Sequence, residues 1–357
     1  MIGGGGYIGS IICRRLLQSG HQVRVLEKFL YGEIATRSLF KDPRFEVVRG
    51  DCRSLQTVVA AMRGVSSVIH LAAIVGDPAC EQDRHAAREI NYSATRMIAE
   101  IAAGCGVERF LFASSCSVYG EAGYVVDEKS AVNPLSLYAR TKLEGEEALL
   151  LQGSSSFHPT VLRLATVFGH SYRPRFDLAV NLLTARACQG GSITIYNGEQ
   201  WRPFINVTDA ADGFIMALHA PAKLAGGQIF NLGGSNMNFT LSQVADVIQQ
   251  LVPGTRVEYV DNPDRRNYRV SFRKIERDLG FHCETTLADG VQGICDAIHS
   301  GSVRDYNLPI YHNQRFLLAS GSLAAQREVD ARVMAAFASA VRSADQPLSR
   351  VVSHALR

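Results

Sequence analysis

The stretch that decides the fold is residues 1–27, MIGGGGYIGSIICRRLLQSGHQVRVLE. It contains a GxGxxG pattern over 4–9, apolar residues at helical spacing over 11–19, and a strand-like alternation over 22–27. Glycines leave the backbone open, and a helix that begins directly after them points unpaired amides toward the turn. The pattern therefore predicts a strand–turn–helix unit of a parallel sheet that binds a dinucleotide through its pyrophosphate.

Two acidic residues extend this prediction. Glu27 lies 18 residues after Gly9 at the end of a predicted strand, where a carboxylate accepts a hydrogen bond from the ribose 2′-hydroxyl. The same charge repels a 2′-phosphate, which favours NAD over NADP, although the neighbouring Lys28 weakens that preference. Asp51 follows a further predicted strand, and it is either an adenine contact or an Asx-turn residue.

The glycine cluster begins unusually early in the chain. Only Met1 and Ile2 precede it, whereas a buried strand usually has about 5–6 residues, and the strand before such a turn is the central one of the sheet. We expect that the natural start lies a few residues upstream, or that another segment, such as the residues after 320, covers the gap.

Strand-like and helix-like stretches alternate as far as about residue 170. Apolar runs predict strands at 45–49, 68–73, 109–114 and 161–164, and helical spacing predicts helices at 54–62, 90–103 and 136–151. Such alternation predicts an α/β fold, here a Rossmann-type doubly wound parallel sheet covered by helices on both faces.

The chain is long enough for two lobes. We expect an NAD-binding lobe in residues 1–170, joined by later residues of about 202–235, and a smaller α/β substrate lobe in 171–318. Residues 319–357 are rich in Ala, which predicts a helical or partly disordered tail, with helical spacing over 323–341.

Composition excludes several classes of protein. The 357 residues carry a net charge of +3 and are 46% hydrophobic, without a run of about 18 apolar residues that could span a membrane. Basic residues cluster only at 265–274, which is too sparse for a nucleic-acid arm. The eight cysteines form no Cys-x-x-Cys pair, which predicts reduced thiols in a cytoplasmic protein and no metal site.

A tyrosine and a lysine have the spacing of a catalytic pair. Tyr138 and Lys142 lie one helical turn apart. Lowering a tyrosine pKa from about 10 to 7 requires about 4 kcal/mol of phenolate stabilisation, which the lysine cation and a positive nicotinamide ring could supply. Ser115, at the end of a predicted strand, could bond the same substrate hydroxyl. Alone, this spacing is also compatible with a purely structural role.

The motifs taken together carry a family resemblance over about residues 1–315. The chain resembles the extended short-chain dehydrogenase/reductase family, namely its nucleotide-sugar epimerases and dehydratases, and above all members of the UDP-glucose (galactose) 4-epimerase type. The matching segments, in order, are GGGGYIG at 3–9, Glu27, GD at 50–51, HLAA at 70–73, Asn91, SSCSVYG at 114–120, YARTK at 138–142, RLATVFG at 163–169, WRPFINVTDAA at 201–211 and LGF at 279–281.

The resemblance implies NAD as cofactor and a nucleoside-diphosphate sugar as substrate. It makes Ser115, Tyr138 and Lys142 the catalytic set, with Tyr138 taking the proton from a sugar hydroxyl. The implied cofactor contacts are Gly3, Gly6, Tyr7, Ile8, Gly9, Glu27, Asp51, Cys52, Leu71, Ala72, Ala73, Asn91, Tyr138 and Lys142. The candidate substrate contacts are Ser115, Thr166, Asn181, Arg202 and Arg266, with the two arginines meeting the diphosphate or else forming structural salt bridges.

The resemblance also implies a homodimer built on the helices near 90–103 and 136–151. Those helices carry apolar residues on more than one face: Met97, Ile98, Ile101, Leu149, Leu150 and Leu151. No nucleic-acid or membrane partner is expected.

Departures from the family pattern favour one reaction. Cys116 and Ser117 stand where dehydratases carry an Asp-Glu pair, and decarboxylases carry Glu at the second position, so the acid and base that those reactions need are missing. Thr166 stands where many members of the family have Asn. The sequence therefore favours NAD-dependent epimerisation at C4 through a transient keto-sugar. The alternatives are an NDP-sugar reductase or dehydrogenase with net redox and, outside the enzyme class, a silent NAD-binding scaffold.

Overall fold

Parallel strands form the largest layer of the chain, whose residues 1–320 are described by a computed structural model. The strands are β1 (Val23–Glu27), β2 (Phe45–Arg49), β3 (Ser67–His70), β4 (Arg109–Ser115), β5 (Glu121–Val126), β6 (His158–Leu164), β7 (Thr166–Phe168), β8 (Ser192–Tyr196), β9 (Trp201–Asn206), β10 (Gln228–Leu232), β11 (Asn238–Thr240), β12 (Arg256–Val260) and β13 (Asn267–Val270).

Helices follow most of the strands. They are α1 (Gly9–Gln18), α2 (Leu55–Met62), α3 (Asp77–Gln82), α4 (Arg84–Arg88), α5 (Ala94–Gly104), α6 (Leu137–Leu150), α7 (Ala179–Gly190), α8 (Val207–His219), α9 (Ala222–Ala225), α10 (Leu241–Leu251), α11 (Arg273–Leu279), α12 (Leu287–His299) and α13 (Asn313–Ser320). A π-helical turn (Glu89–Ser93) precedes α5, and 3₁₀ turns lie at Arg37–Lys41, Cys116–Tyr119 and Pro309–Tyr311.

The main sheet is parallel throughout. Strands β10, β6, β4 and β3 pair in that order, and β1 pairs with β2. Ile2 joins the two groups, because it forms parallel bridges to Leu26 in β1 and to His70 in β3. The order is therefore β2-β1-Ile2-β3-β4-β6-β10, which confirms the doubly wound α/β fold. The crossovers change direction at Ile2, where ligands bind beyond the carboxyl ends of the strands.

The central position, where the glycine turn leaves the sheet, is filled by Met1 and Ile2. The Ile2 amide donates to the Ile69 carbonyl, and the Leu26 amide donates to the Met1 carbonyl. The Met1 ammonium donates to the Arg24 carbonyl at 2.8 Å. Two residues thus provide the central contacts that hold β1 beside β3.

The second half of the chain contributes to both lobes. β7, β9 and β11 form a small mixed sheet, and β8 pairs with β12. Helices α7, α10 and α12 share a buried apolar core with this lobe, which includes Phe168 and Phe204. β10 instead completes the main sheet beside β6, and α8 shares its apolar core with α1.

Helix starts follow the capping residues in the sequence. The Ser54 and Ser136 hydroxyls accept from the Thr57 and Ala139 amides at the starts of α2 and α6. Capping boxes begin α10, at Thr240 and Gln243, and α12, at Thr286 and Asp289.

Two expectations differ from the described structure, and a third falls outside it. β3 ends at His70 rather than at 73, since the next three residues turn out of the sheet to line a cleft. The apolar side chains expected to face a dimer partner, Met97, Ile98, Ile101 and Leu149, are buried within the chain itself, whereas Leu151 is exposed. The predicted helix over 323–341 lies outside the described residues.

Residues 1–320 were compared with the requirements of a metal site and of a membrane-spanning helix. No three His, Cys, Asp or Glu side chains in this range come together in an arrangement that could hold a metal ion. Within the same range, no helix has both the length and the apolar character needed to cross a bilayer.

Candidate functional site

A cleft of about 700 Å³ opens at the carboxyl ends of the central strands, between the two lobes. Most of the residues expected to bind cofactor or substrate line it. They are Gly3, Gly6, Tyr7, Ile8, Gly9, Glu27, Asp51, Cys52, Leu71, Ala72, Ala73, Ser115, Tyr138, Lys142, Thr166, Arg202 and Arg266. Asn91 and Asn181 do not line it.

The glycine turn is shaped for close backbone contact. A Cβ atom on Gly9 would lie 2.4 Å from the Gly3 carbonyl oxygen, and one on Gly3 would lie 2.7 Å from the Ala72 nitrogen. Gly3 also has φ +86°, which side-chain-bearing residues rarely adopt. The cap of α1 is Ile8, which offers no capping side chain. The Ser10 and Ile11 amides donate to the Gly6 and Ile8 carbonyls. The Gly9 amide, which has no acceptor among residues 1–320, is therefore the helix amide available to an anion in the cleft.

Glu27, at the end of β1, accepts backbone hydrogen bonds that stabilise the glycine turn. Its Oε2 accepts from the Gly5 amide at 2.9 Å, and its Oε1 accepts from the Lys28 and Phe29 amides at 3.0 and 3.1 Å. Burial raises the pKa of Glu27, and these hydrogen bonds partly oppose that shift. A carboxylate has about four acceptor positions, so it can still accept from a ribose hydroxyl.

Asp51 is held by two cations beside the same wall. Its carboxylate accepts from Arg53, with the closest Nη2–Oδ2 distance 2.8 Å, and from Lys28 Nζ at 2.7 Å. Burial opposes ionisation, but these hydrogen bonds hold the pKa of Asp51 well below its usual value. The Lys28 charge is directed toward Asp51 and is therefore less able to attract a 2′-phosphate at Glu27.

The catalytic candidates lie together where β4 and α6 meet. Lys142 Nζ donates to the Ala113 carbonyl at 2.7 Å and lies 5.9 Å from the Tyr138 ring centre. Burial lowers the pKa of Lys142 to about 8. Burial also raises the pKa of Tyr138, with a smaller opposing effect from a hydrogen bond with Ser115. The protein alone thus does not lower the tyrosine pKa in the way that the spacing suggested, because desolvation outweighs the neighbouring charges.

Asn91 acts behind the cleft rather than in it. Its Oδ1 accepts from the Ile74 amide at 2.8 Å, and its Nδ2 donates to the Ile74 carbonyl and to Thr141 Oγ1. These bonds occupy the amide and fix the loop after β3 against α6. The structure therefore corrects the expected direct cofactor contact to a supporting position.

Asn181 also lies outside the cleft. Its Oδ1 accepts from the Gly169 amide, and its Nδ2 donates to the Gly169 and Arg175 carbonyls and to the Tyr7 hydroxyl. The Tyr7 hydroxyl itself donates to the Gly169 carbonyl at 2.6 Å. Because these partners occupy it, Asn181 joins the glycine turn to the second lobe instead of contacting the substrate.

Arg202 and Arg266 line the cleft but share a carboxylate. Arg266 makes a bidentate pair with Asp264 and a 2.6 Å bond to Asp77, which together raise its pKa. Arg202 lies 3.4 Å from Asp264 and also donates to the Gln200 side chain. The structural salt bridges that the sequence left open are present, and the guanidinium edges remain at the cleft wall.

The sequence prediction missed several cleft residues. Arg173 and Arg175 reach the wall from the loop before α7, Tyr31 from the loop after β1, and Asn313 from the start of α13. No motif marked them. The only signal was two arginines in one short segment, RPRFD at 173–177.

Comparison with known proteins identifies the family. The model of the NAD dependent epimerase/dehydratase family matches residues 1–233. A Bacillus subtilis (strain 168) protein described as an uncharacterized UDP-glucose epimerase, YtcB, is 30% identical over 301 residues, 81% of this chain and 94% of that protein. The chain therefore belongs to the NAD dependent epimerase/dehydratase family, and it is an enzyme of that class.

Solved structures show the same architecture. UDP-glucuronic acid 4-epimerase from Bacillus cereus, in complex with UDP-glucuronic acid and NAD, superposes with a TM-score of 0.76 at 25% identity, over 84% of this chain and 98% of that one. MoeE5 in complex with UDP-glucose and NAD gives 0.72 at 28% identity with the same coverage. NAD is the cofactor of this family, and the open glycine turn, uncapped α1 and Glu27 acceptor of the present cleft fit it.

Proposed function

We propose that the chain is an NAD-dependent epimerase of a nucleoside-diphosphate sugar and that it acts at C4 through a transient keto-sugar. The observation that carries the proposal is that Ser115, Tyr138 and Lys142 line the same cleft as the glycine turn and Glu27. The relative described as a UDP-glucose epimerase, matched over 94% of its length, supports this choice of reaction.

The chain's own residues divide the proton chemistry between them. Tyr138 accepts the proton of the C4 hydroxyl and later returns it, while Ser115 orients that hydroxyl. Lys142, held by the Ala113 carbonyl, places a cation beside the developing phenolate and stabilises it. NAD, held by the glycine turn and Glu27, would supply the hydride acceptor and donor for C4. The protein contributes position and charge.

The side chains of Cys116 and Ser117 argue against a dehydratase reaction. Cys116 is buried and its Sγ lies 3.2 Å from the Arg163 carbonyl oxygen. Burial raises the pKa of the Cys116 thiol, so it is a poor acid–base group near neutrality. Ser117 Oγ is buried without a hydrogen-bond partner, and Ser117 lines the cleft. It is therefore suited to bond a sugar hydroxyl rather than to supply the second acid of a dehydratase.

The sugar nucleotide is proposed to lie toward the second lobe. Thr166, Arg202 and Arg266 line that side of the cleft and remain the proposed contacts. Because Asp264 already pairs with both arginines, their net attraction for phosphate is smaller than two free guanidinium groups would give.

Product analysis tests the reaction. The purified protein is incubated with UDP-, dTDP-, GDP- and CDP-hexoses, and epimers are separated while the NADH absorption band is followed. Formation of an epimer without net NADH change supports the proposal. Stoichiometric NADH change would instead establish the net-redox alternative. Retained cellular function in a Tyr138→Phe strain would establish the silent scaffold.

A homodimer in the cytoplasm is the assembly and location that we propose with this function. All eight cysteines are free thiols, as expected in a reducing compartment. Light scattering on the eluted protein tests the dimer, and a monomeric mass at micromolar concentration would contradict it.

A further inference from the structure

Arg173 differs from the other arginines of the cleft in having no carboxylate partner. Four arginines line the cleft. Three of them are ion-paired within the described residues: Arg175 with Asp177, and Arg202 and Arg266 with Asp264. Among residues 1–320, no carboxylate forms an ion pair with Arg173, and Asp177 and Glu27 act on its charge only from a distance.

Arg173 is nevertheless buried and held in place. It is 5% exposed, and its guanidinium carbon lies 3.8 Å from the centre of the Tyr31 ring. Nη2 donates to Asn313 Oδ1 at 2.8 Å. Nε is buried and has no hydrogen-bond partner.

An isolated buried cation is costly. Consistent with that cost, burial and the nearby Arg175 charge lower the pKa of Arg173 to about 10. A buried guanidinium that has no carboxylate in direct contact is suited to bind an anion that enters the cleft. Nη2 is occupied by Asn313 and the Ile310 carbonyl. Nε and Nη1 donate to no group within residues 1–320, so these donors remain for phosphate oxygens.

Arg173 lies near the end of the cleft that is formed by the glycine turn. Ser171, two residues earlier, donates to the Tyr7 carbonyl at 2.5 Å beside the start of α1. Tyr31 lies in the loop that follows Glu27. Burial raises the pKa values of Glu27 and Tyr7, and the Arg173 charge partly opposes both shifts. The arginine thus lies within electrostatic reach of the glycine turn.

We propose that Arg173 binds the diphosphate of the dinucleotide, opposite the glycine turn and the uncapped N-terminus of α1. Tyr31 and Asn313 are positioning residues that hold its guanidinium. The inference rests on the proposed NAD-dependent function and adds a side-chain ligand that the glycine motif does not contain. The other diphosphate that could reach this wall belongs to the sugar nucleotide, and the experiment separates the two.

Calorimetric titration of Arg173→Gln with ADP-ribose, adenosine and UDP tests the proposal. ADP-ribose contains the cofactor diphosphate, adenosine lacks any phosphate, and UDP represents the sugar nucleotide. We expect the variant to bind ADP-ribose about 10- to 100-fold more weakly, as for the loss of a charge-assisted bond, with adenosine and UDP little changed. Arg173→Lys restores part of the affinity, because it supplies charge without the planar fork.

Arg256→Gln is the matched control, since Arg256 is exposed on β12 and does not line the cleft. Unchanged ADP-ribose affinity in Arg173→Gln overturns the proposal. Weaker binding of UDP alone overturns it too, because it assigns the arginine to the sugar nucleotide. An equal loss for adenosine overturns it as well, since the diphosphate is then not the cause. None of these titrations needs turnover, so a failed epimerase assay leaves the result interpretable.

Discussion

At the scale of single residues, Tyr138 shows two opposing influences on one phenol. Burial raises its pKa, and the Ser115 hydroxyl lowers it by less. Lys142 lies 5.9 Å from the ring centre and is itself a weakened cation near neutral pH, because burial lowers its pKa to about 8. Lowering the tyrosine pKa therefore depends on the positive nicotinamide ring that the family's cofactor brings.

Replacing Tyr138 with Phe removes the hydroxyl while keeping the ring that packs at the cleft wall. We expect kcat to fall by about 10²- to 10⁴-fold, the usual contribution of a positioned proton-transfer group, with NAD affinity and melting temperature nearly unchanged. Tyr124→Phe makes the same change at a residue that is 58% exposed and should match the wild type. Comparable kcat in the two variants would remove Tyr138 from the mechanism.

At the same scale, Glu27 is the residue that we propose sets the choice of cofactor. In Glu27→Gln, the ribose loses a charged acceptor and a 2′-phosphate loses a repelling charge. We expect the ratio of NAD to NADP affinity to fall by at least about tenfold. Titration with both dinucleotides measures the ratio, and Glu46→Gln on β2, whose side chain pairs with Arg24, serves as the control. An unchanged ratio would show that specificity is set elsewhere.

At the scale of elements, a buried ion pair holds α6, the helix that carries the proposed catalytic residues, against the sheet. Glu146 in α6 accepts from Arg163 in β6, with Nη2–Oε2 2.7 Å, and bonds to the Ser114 hydroxyl in β4. Arg163 also donates to the Tyr119 hydroxyl at 3.0 Å. This network fixes the face of α6 that carries Tyr138.

A double-mutant cycle on this pair has a clear expected outcome. Arg163→Met leaves an unpaired buried carboxylate and Glu146→Leu an unpaired buried guanidinium, so each should lower the free energy of unfolding by about 3–5 kcal/mol. The double variant should lose less than the sum of the two. Urea unfolding measures all four proteins, and strict additivity would contradict a direct coupling.

His70 links β3 to α5 and gives a pH-dependent stability. Thr95 Oγ1 donates to the Asn91 carbonyl, so His70 Nε2 donates to Thr95 Oγ1 at 3.0 Å. Nδ1 is left buried without a partner. Burial lowers the pKa of His70 to about 3, below the value of about 6.5 expected when the chain is unfolded.

Between pH 3 and 6.5 the unfolded chain therefore binds a proton that the folded chain does not, and stability falls as the pH falls below 6.5. From pH 7 to 5 this residue should account for a loss of about 2 kcal/mol. In His70→Gln that loss should disappear, whereas His282→Gln, at an exposed histidine, should behave like the wild type. Equal pH dependence in all three proteins would exclude His70 as the source.

At the scale of the whole molecule, the glycine turn is joined directly to the second lobe. The Tyr7 hydroxyl donates to the Gly169 carbonyl, and the Tyr7 carbonyl accepts from the Ser171 hydroxyl. The cofactor turn and the substrate lobe therefore hold each other in position.

Tyr7→Phe should weaken this connection. We expect the free energy of unfolding to fall by about 1 kcal/mol for the lost hydrogen bond, as measured by urea denaturation. Trp201, the single tryptophan of the chain, reports on the second lobe by fluorescence. The exposed Tyr259→Phe is the control, and a wild-type midpoint for Tyr7→Phe would show that the hydroxyl contributes nothing to stability.

The sequence predicted individual strands and helices because the patterns that indicate them span only a few neighbouring residues. The alternation of apolar runs predicted β1, β2 and β4 and most of the main helices, and the glycine turn with Glu27 marked the cofactor end of the cleft. Spacing alone placed Tyr138 and Lys142 on one face of a helix. These features follow from backbone geometry and from the periods of strand and helix.

Contacts between distant segments were decided only by the tertiary structure. Packing buried four side chains expected at a dimer interface, namely Met97, Ile98, Ile101 and Leu149. It engaged Asn91 and Asn181 in backbone hydrogen bonds and gave Arg202 and Arg266 a shared carboxylate partner. It also brought Arg173, from a segment without a motif, to the cleft beside the glycine turn. The sequence by itself determined the fold class and the catalytic candidates, because their patterns are periodic and short-range. The partners of each charged or polar side chain depend on which distant segments meet, and only the folded chain decides that.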